Sequence, residues 1–172
     1  VIQPIRLFQL ISPGLRENFP PLKTLDARPN TLPVQLTSFI GRVAVMQQLK
    51  SLLKQTRLLT ILGPGGAGKT SMSLQAGADF IDEFANGVCI TGLAHLSGPS
   101  FILQKLMNSL GVKEEKGRSP EDSLIDHLKN KEMLLILDNC EHLINECAKL
   151  SETLVKRCQK LKIIATSREA LN

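Results

Sequence analysis

Residues 58–71 read Leu58-Leu59-Thr60-Ile61-Leu62-Gly63-Pro64-Gly65-Gly66-Ala67-Gly68-Lys69-Thr70-Ser71, and this stretch decides the fold. A short apolar run ends abruptly in a glycine cluster, the pattern of a buried strand entering a tight turn. Gly63 to Thr70 fits G-x4-G-K-[ST], and helical spacing follows at Met72, Ala76, Phe80 and Phe84, stopping at Asn86-Gly87. Strand, glycine loop and helix in that order are the context a phosphate-binding loop needs. Glycines let the backbone curl until successive N–H groups point inward, and the following helix adds its positive end. Lys69 is then placed to reach the β- and γ-phosphates, and the Thr70 hydroxyl to ligate Mg²⁺. Gly63, Pro64, Gly65, Gly66, Ala67, Gly68, Lys69, Thr70 and Ser71 are the expected nucleotide contacts. Gly63, Gly65 and Gly68 also satisfy G-x-G-x-x-G, the dinucleotide fingerprint. That reading wants an acid at the end of the second strand. The run Val88–Thr91 ends instead in Gly92-Leu93, and Asp82 and Glu83 lie inside the preceding helical pattern.

Outward from the loop the chain alternates. Val45, Met46, Leu49, Leu52 and Leu53 predict an amphipathic helix over 42–55. Val88–Thr91 reads as a second strand, helical segments follow at 100–110 and 120–130, and Met133–Asp138 is apolar until its last residue. The 120–130 segment opens with Ser119-Pro120-Glu121-Asp122, a serine cap with proline in the first turn and an acid three residues on. Leu143, Cys147, Leu150, Leu154 and Cys158 repeat at helical spacing, and Leu161–Thr166 closes the series as a fourth strand. Such alternation implies right-handed βαβ units and a parallel sheet wrapped by helices, with ligands at the carboxyl ends of the strands. Site residues are therefore expected just after Leu62, Leu137 and Thr166.

Leu134-Leu135-Ile136-Leu137-Asp138 is an apolar strand ending in a carboxylate. It is expected to lie next to the loop strand and to present Asp138 to Mg²⁺ through water. Glu141 is the expected group to orient a water against the γ-phosphate, and it reads equally as an acid stabilised at a helix N-terminus. Asn139, between the two acids, can hydrogen-bond but cannot act as a base. Arg168, in Ala165-Thr166-Ser167-Arg168, is placed to touch the γ-phosphate and report its presence. Its plainer reading is a surface arginine.

The 172 residues suit one domain with a short appendage, and 42% hydrophobic with 22% charged residues is enough for a core. The longest apolar run, Met133 to Leu137, falls far short of the roughly 18 residues of a membrane helix, and no stretch resembles a signal peptide. The expectation is a cytoplasmic protein with no membrane partner. Residues 1–57 carry eight Lys/Arg against two acids and residues 58–172 thirteen against fourteen, so the net charge of +5 belongs to the N-terminal third. With no Trp, no Tyr and six Phe besides, direct nucleic-acid binding by this segment is not expected. Cys89, Cys140, Cys147 and Cys158 form no C-x-x-C pair. Cys147 and Cys158 fall on an apolar helix face, and Cys140 with His142 lacks companions at zinc spacing. Five of the nine prolines lie within 13–33, which reads as an extended linker. Ile5, Leu7, Phe8 and Leu10 before it make a short strand-like segment. The chain lacks an initiator Met and stops straight after a strand-like run, so a piece of a longer protein is expected. Its divisions are the tail of an upstream domain at 1–12, a Pro-rich linker at 13–35 and a truncated P-loop nucleotide-binding domain at 36–172.

With these residues in place, residues 30–172 resemble the nucleotide-binding domain of bacterial signal-transduction ATPases of the STAND class, the group that includes NB-ARC and related regulatory ATPases. Leu36-Thr37-Ser38-Phe39-Ile40-Gly41-Arg42, Arg57-Leu58-Leu59-Thr60, the glycine loop, Leu137-Asp138-Asn139-Cys140-Glu141-His142-Leu143 and Ala165-Thr166-Ser167-Arg168-Glu169-Ala170-Leu171 occur in the order expected for such ATPases. The resemblance implies an α/β, three-layer P-loop NTPase fold, Gly41 and Arg42 near the adenine, and Arg168 as a sensor arginine. Val43 and Val45 stand where that family's motif usually carries acids. ATP/ADP and Mg²⁺ are the implied cofactors, and the implied role is a switch whose nucleotide states differ in domain packing and which slow hydrolysis resets. The implied partners are the nucleotide, the other domains of a full-length regulator and a homo-oligomer. A hydrolysis-deficient protein-interaction module with the same fold is the alternative. A small-molecule kinase would need a basic lid segment, and none is evident. No Asn-Lys-x-Asp element for reading guanine occurs, which favours ATP over GTP. Pro4-Ile5-Arg6-Leu7-Phe8-Gln9-Leu10 is similar to the last strand of class III adenylate/guanylate cyclase domains. The stretch Asn18-Phe19-Pro20-Pro21-Leu22 into Asn30-Thr31-Leu32-Pro33 looks like the joint between such a cyclase and such an ATPase. None of the cyclase metal-binding carboxylates would lie in this chain, so no cyclase activity is assigned.

Overall fold

Residues 28–33, 43–94, 96, 98, 100–115 and 117–171 are described by the structure, a computed structural model. Gly41, Arg42, the cyclase-like opening segment and the proline-rich stretch before residue 28 lie outside the described residues. Among the described residues nine principal elements follow one another: α1 (Val43–Gln55), β1 (Leu58–Leu62), α2 (Lys69–Phe80), β2 (Val88–Gly92), α3 (Ser100–Leu110), α4 (Pro120–Leu128), β3 (Met133–Asp138), α5 (Ile144–Arg157) and β4 (Leu161–Ser167). The helical spacing read through to Phe84 is carried past Phe80 by a single 3-10 turn, Ile81–Glu83. That turn keeps Phe80, Ile81 and Phe84 in one core cluster after the α-helix has stopped. Helix α4 starts as its sequence demands, with Ser119 Oγ accepting the Asp122 N–H at 3.0 Å and proline in the first turn.

The four strands among the described residues are all parallel, in the order β1-β4-β3-β2. This corrects one expectation: the strand that ends in Asp138 is not next to the loop strand, because β4 lies between them. The physical reason is that a buried parallel strand is an apolar run whatever its neighbours, so its composition does not name them. Residue pairs Leu62 with Ser167, Leu137 with Ala165 and Gly92 with Asp138 bring the carboxyl ends of all four strands to one edge.

Alternation along the central strands splits the core into two layers. Leu134, Ile136 and Ile164 face α1 and α2, packing with Met46, Leu49, Leu53, Ala76 and Phe80. Leu135, Leu137 and Ile163 face the other way, onto Leu106, Leu124, Cys147 and Leu154 from α3, α4 and α5. The molecule is thus a three-layer α/β fold. Residues 28–33 add to it. The Thr31 N–H donates to the Val88 carbonyl at 3.2 Å, the Val88 N–H donates to the Pro29 carbonyl at 3.1 Å, and Thr31 Oγ1 accepts the Ile90 N–H at 2.8 Å. Leu32 is buried, 3.2 Å from the point a β-carbon on Gly77 would occupy. The end of the proline-rich stretch therefore covers the outer edge of β2, where a bare strand would present unpaired backbone groups. Among the described residues no helix is long and apolar enough to cross a membrane.

Candidate functional site

The loop between β1 and α2 owes its shape to two left-handed glycines, Gly66 at φ 76° and Gly68 at φ 81°, a region in which a side chain is strained. Gly68 immediately precedes α2, and no side chain caps the helix there. The first N–H groups of α2 and the positive end of its dipole are thus left at the loop. Lys69, 9% exposed, folds back so that Nζ donates to the carbonyls of Gly63 at 2.8 Å and Pro64 at 3.1 Å. An ammonium is thereby held inside a curl of backbone.

Across the sheet edge, Thr70 Oγ1 donates to Asp138, 2.9 Å from Oδ1 and 3.0 Å from Oδ2. The intervening strand completes the contact: Thr166 Oγ1 donates to Asp138 Oδ1 at 2.6 Å and accepts the Asn139 N–H at 2.9 Å. Thr166 is 1% exposed. A hydroxyl and a carboxylate at this spacing are hard oxygen donors, the kind of set that shares a magnesium ion with phosphate oxygens and water.

Beside this cluster stands a second. Glu141 lies in the 3-10 turn Cys140–His142, ahead of α5, whose own first-turn acid is Glu146. Glu141 thus stands just before α5, in the short turn that leads into it. Its carboxylate accepts from Arg168 Nε at 3.1 Å. With its amide oriented to satisfy both groups, Asn139 donates to the two Glu141 oxygens at 3.1 and 3.3 Å. Asn139 itself has φ 70°, the one positive value outside glycine among the described residues. Arg168 also approaches the loop, with Nη2 3.3 Å from the point a β-carbon on Gly65 would occupy.

The structure therefore brings Lys69, Thr70, Asp138, Glu141 and Arg168 to one mouth, with Ser71 exposed in the first turn of α2. Two residues were missed as parts of the site, Thr166 and the side chain of Asn139. The signal for Thr166 was a hydroxyl two places before Arg168, at the end of an apolar strand. Cys140, next to Asn139, is fully buried. Its contact with Cys147, and then burial, push its thiol well above the usual range, so it is a neutral packing group. The His142 Nε2–H donates to the Leu93 carbonyl at 3.0 Å. Among the described residues no group of three or more His, Cys, Asp or Glu is placed to hold a metal ion.

Residues 33–171 match the family described as Novel STAND NTPase 1. An uncharacterized protein of Mycobacterium tuberculosis is 38% identical over 136 residues, covering 79% of this chain and 35% of the relative. A second M. tuberculosis protein, whose name assigns it provisionally to the HTH-type transcriptional regulators, is 38% identical over 123 residues, covering 72% of this chain and 14% of the relative. The chain thus spans about a third of the first relative and about a seventh of the second. Among solved structures, Cdc6p from Pyrobaculum aerophilum superimposes with a TM-score of 0.57 at 18% identity, over 81% of this chain and 41% of that one. The ORC2 protein of Aeropyrum pernix does so with a TM-score of 0.52 at 13% identity, over 75% and 42%. At such identities the likeness concerns the fold.

Proposed function

The chain belongs to the Novel STAND NTPase 1 family, and from that premise we propose that residues 36–172 are the ATP- and Mg²⁺-binding domain of a multidomain signalling or transcriptional regulator, with slow hydrolysis at most. One observation carries this reading: Thr70 and Thr166 converge on Asp138 at the mouth of a glycine loop that holds Lys69 inward. Loop N–H groups and the start of α2 bind the β- and γ-phosphates, and Lys69 Nζ turns from two carbonyls to phosphate oxygens. Thr70 Oγ1 and Asp138 hold Mg²⁺. When bound, the ion neutralises charge on the β- and γ-oxygens. Glu141 orients the attacking water and Arg168 touches the γ-phosphate.

In this reading the protein is cytoplasmic, and its partners are the nucleotide, the other domains of the full-length protein, among them a cyclase-like domain upstream, and further copies of itself. The relative named among the HTH-type regulators supports a regulatory setting. Driving such a switch from 1:99 to 99:1 asks for ~5.5 kcal/mol of nucleotide preference between its states.

Titration with a fluorescent ATP analogue tests the assignment. Lys69→Ala is expected to weaken binding by about a hundredfold or more, the loss of a charged hydrogen-bonding group from a phosphate site. Unchanged affinity would defeat it. Asn139, which stands next to Asp138 and cannot accept a proton from water, favours a second reading, a hydrolysis-deficient protein-interaction module with the same fold. Phosphate release by the wild type that Glu141→Gln abolishes supports the first reading, and its absence in both supports the second.

A further inference from the structure

Arg168 bonds to Glu141 and at the same time approaches the glycine loop. Its Nε binds Glu141 Oε1 at 3.1 Å, while its Nη2 lies against Gly65 on the loop, 3.3 Å from the point a β-carbon there would take. One guanidinium therefore spans from the phosphate loop to the acid after β3. The two partners differ in freedom. The Glu141 side chain is 17% exposed and has a second donor in Asn139, whereas the Arg168 side chain is 62% exposed. Of the pair, the arginine is the member free to swing. A guanidinium prefers two-pronged contact with a phosphate over a single bond to a carboxylate, so a terminal phosphate at the loop competes for the same donors.

We infer that Arg168 is an exchangeable clamp for which Glu141 and the terminal phosphate of a nucleoside triphosphate compete, so that Glu141 is released for catalysis only when a triphosphate is bound. The inference deepens the ATP-binding reading and rests on it. Released from Arg168, Glu141 still accepts from the Asn139 amide and regains on Oε1 the lone pair that the guanidinium had taken. The attacking water's oxygen bonds to the γ-phosphorus as the bond from that phosphorus to the bridging oxygen breaks. The bridging oxygen departs on ADP with the electron pair, and the water's proton passes to Glu141 and then to solvent. A diphosphate, with nothing at the γ-position, leaves the guanidinium on Glu141.

The test compares Mg²⁺ complexes of a non-hydrolysable ATP analogue and of ADP by calorimetric titration into the full chain, so no readout depends on turnover. Glu141→Gln removes the competing charge and is expected to raise affinity for the analogue about threefold, the scale of a partly exposed ion pair, with ADP affinity unchanged. Arg168→Ala is expected to lower affinity for the analogue about tenfold and to erase its advantage over ADP. The double variant should match Arg168→Ala, because Glu141 acts on affinity through Arg168. Thermal melts identify any unfolded variant, and Arg168→Lys, which keeps the charge, then serves in place of the alanine and should retain part of the preference. Glu141→Gln that leaves affinity for the analogue unchanged or lower, or a double variant that still gains from it, overturns the clamp. A wild-type chain that binds neither nucleotide overturns the ATP-binding reading as well.

Discussion

Asp138 and Glu141 stand three positions apart at the carboxyl end of the sheet, and they are held in opposite ways. Asp138 ends a central strand, and its oxygens accept from hydroxyls on two rigid elements, Thr70 in α2 and Thr166 in β4. Glu141 rides on a short turn, with one donor from left-handed Asn139 and another from a solvent-facing arginine. The first acid is held by an exposed hydroxyl, Thr70, and by a buried one, Thr166, whose bond lies in lower dielectric, where hydrogen bonds are strong and their loss is costly. The second depends on a partly exposed ion pair, which is worth little by itself and is readily traded. Positioning an ion wants no play, and sensing a phosphate wants a contact that can be exchanged. The two constructions divide those tasks.

The largest expected effect comes from striking behind the locked acid. Leu32 packs on Gly77 of α2, the same helix that carries Lys69 and Thr70. Leu32→Ala is expected to cost about 2–5 kcal/mol of unfolding free energy in a denaturant titration, through lost burial and the cavity left behind. The preference for ATP over ADP should stay as in the wild type. A changed preference would mean that the two sets are not separable. A smaller effect is expected at the hydroxyl between the strands. Thr166→Val should weaken the Mg²⁺ dependence of nucleotide binding about tenfold, as loss of an orienting partner of a metal-binding group does, while Thr166→Ser restores it. Equal loss in both variants would trace the effect to packing of the methyl group, and the contrast between the two acids would then blur.

Much of this arrangement is legible along the chain, and the reason is locality. A strand that runs into glycines, a lysine and threonine at the start of a helix, and a carboxylate at the end of an apolar run are each written within a few residues. Leu58–Leu62, the loop and Asp138 could therefore be read directly. The place of β4 could not, because Leu161–Thr166, apolar apart from Lys162 and Thr166, and Met133–Leu137 are both strands covered on two faces and neither names its neighbour. Thr166 escaped for the same cause: its hydroxyl matters only because β4 is inserted between β1 and β3. Residues 28–33 read as linker because prolines break periodicity, yet Leu32 is 7% exposed and belongs to the core cluster of α1 and α2. The hold of Asn139 on Glu141 needs a left-handed backbone at an asparagine, which short polar residues tolerate but composition does not announce.

The central claim is that Asp138, fixed by Thr70 and Thr166, positions the ion that accompanies a nucleotide at the glycine loop. It is tested most directly by titrating ATP into the wild-type chain and into Asp138→Asn, each with and without Mg²⁺. The wild type should gain about tenfold or more in affinity from the ion, and Asp138→Asn should lose that gain while keeping the affinity measured without Mg²⁺. An equal gain in both chains would put the ion elsewhere and contradict the claim.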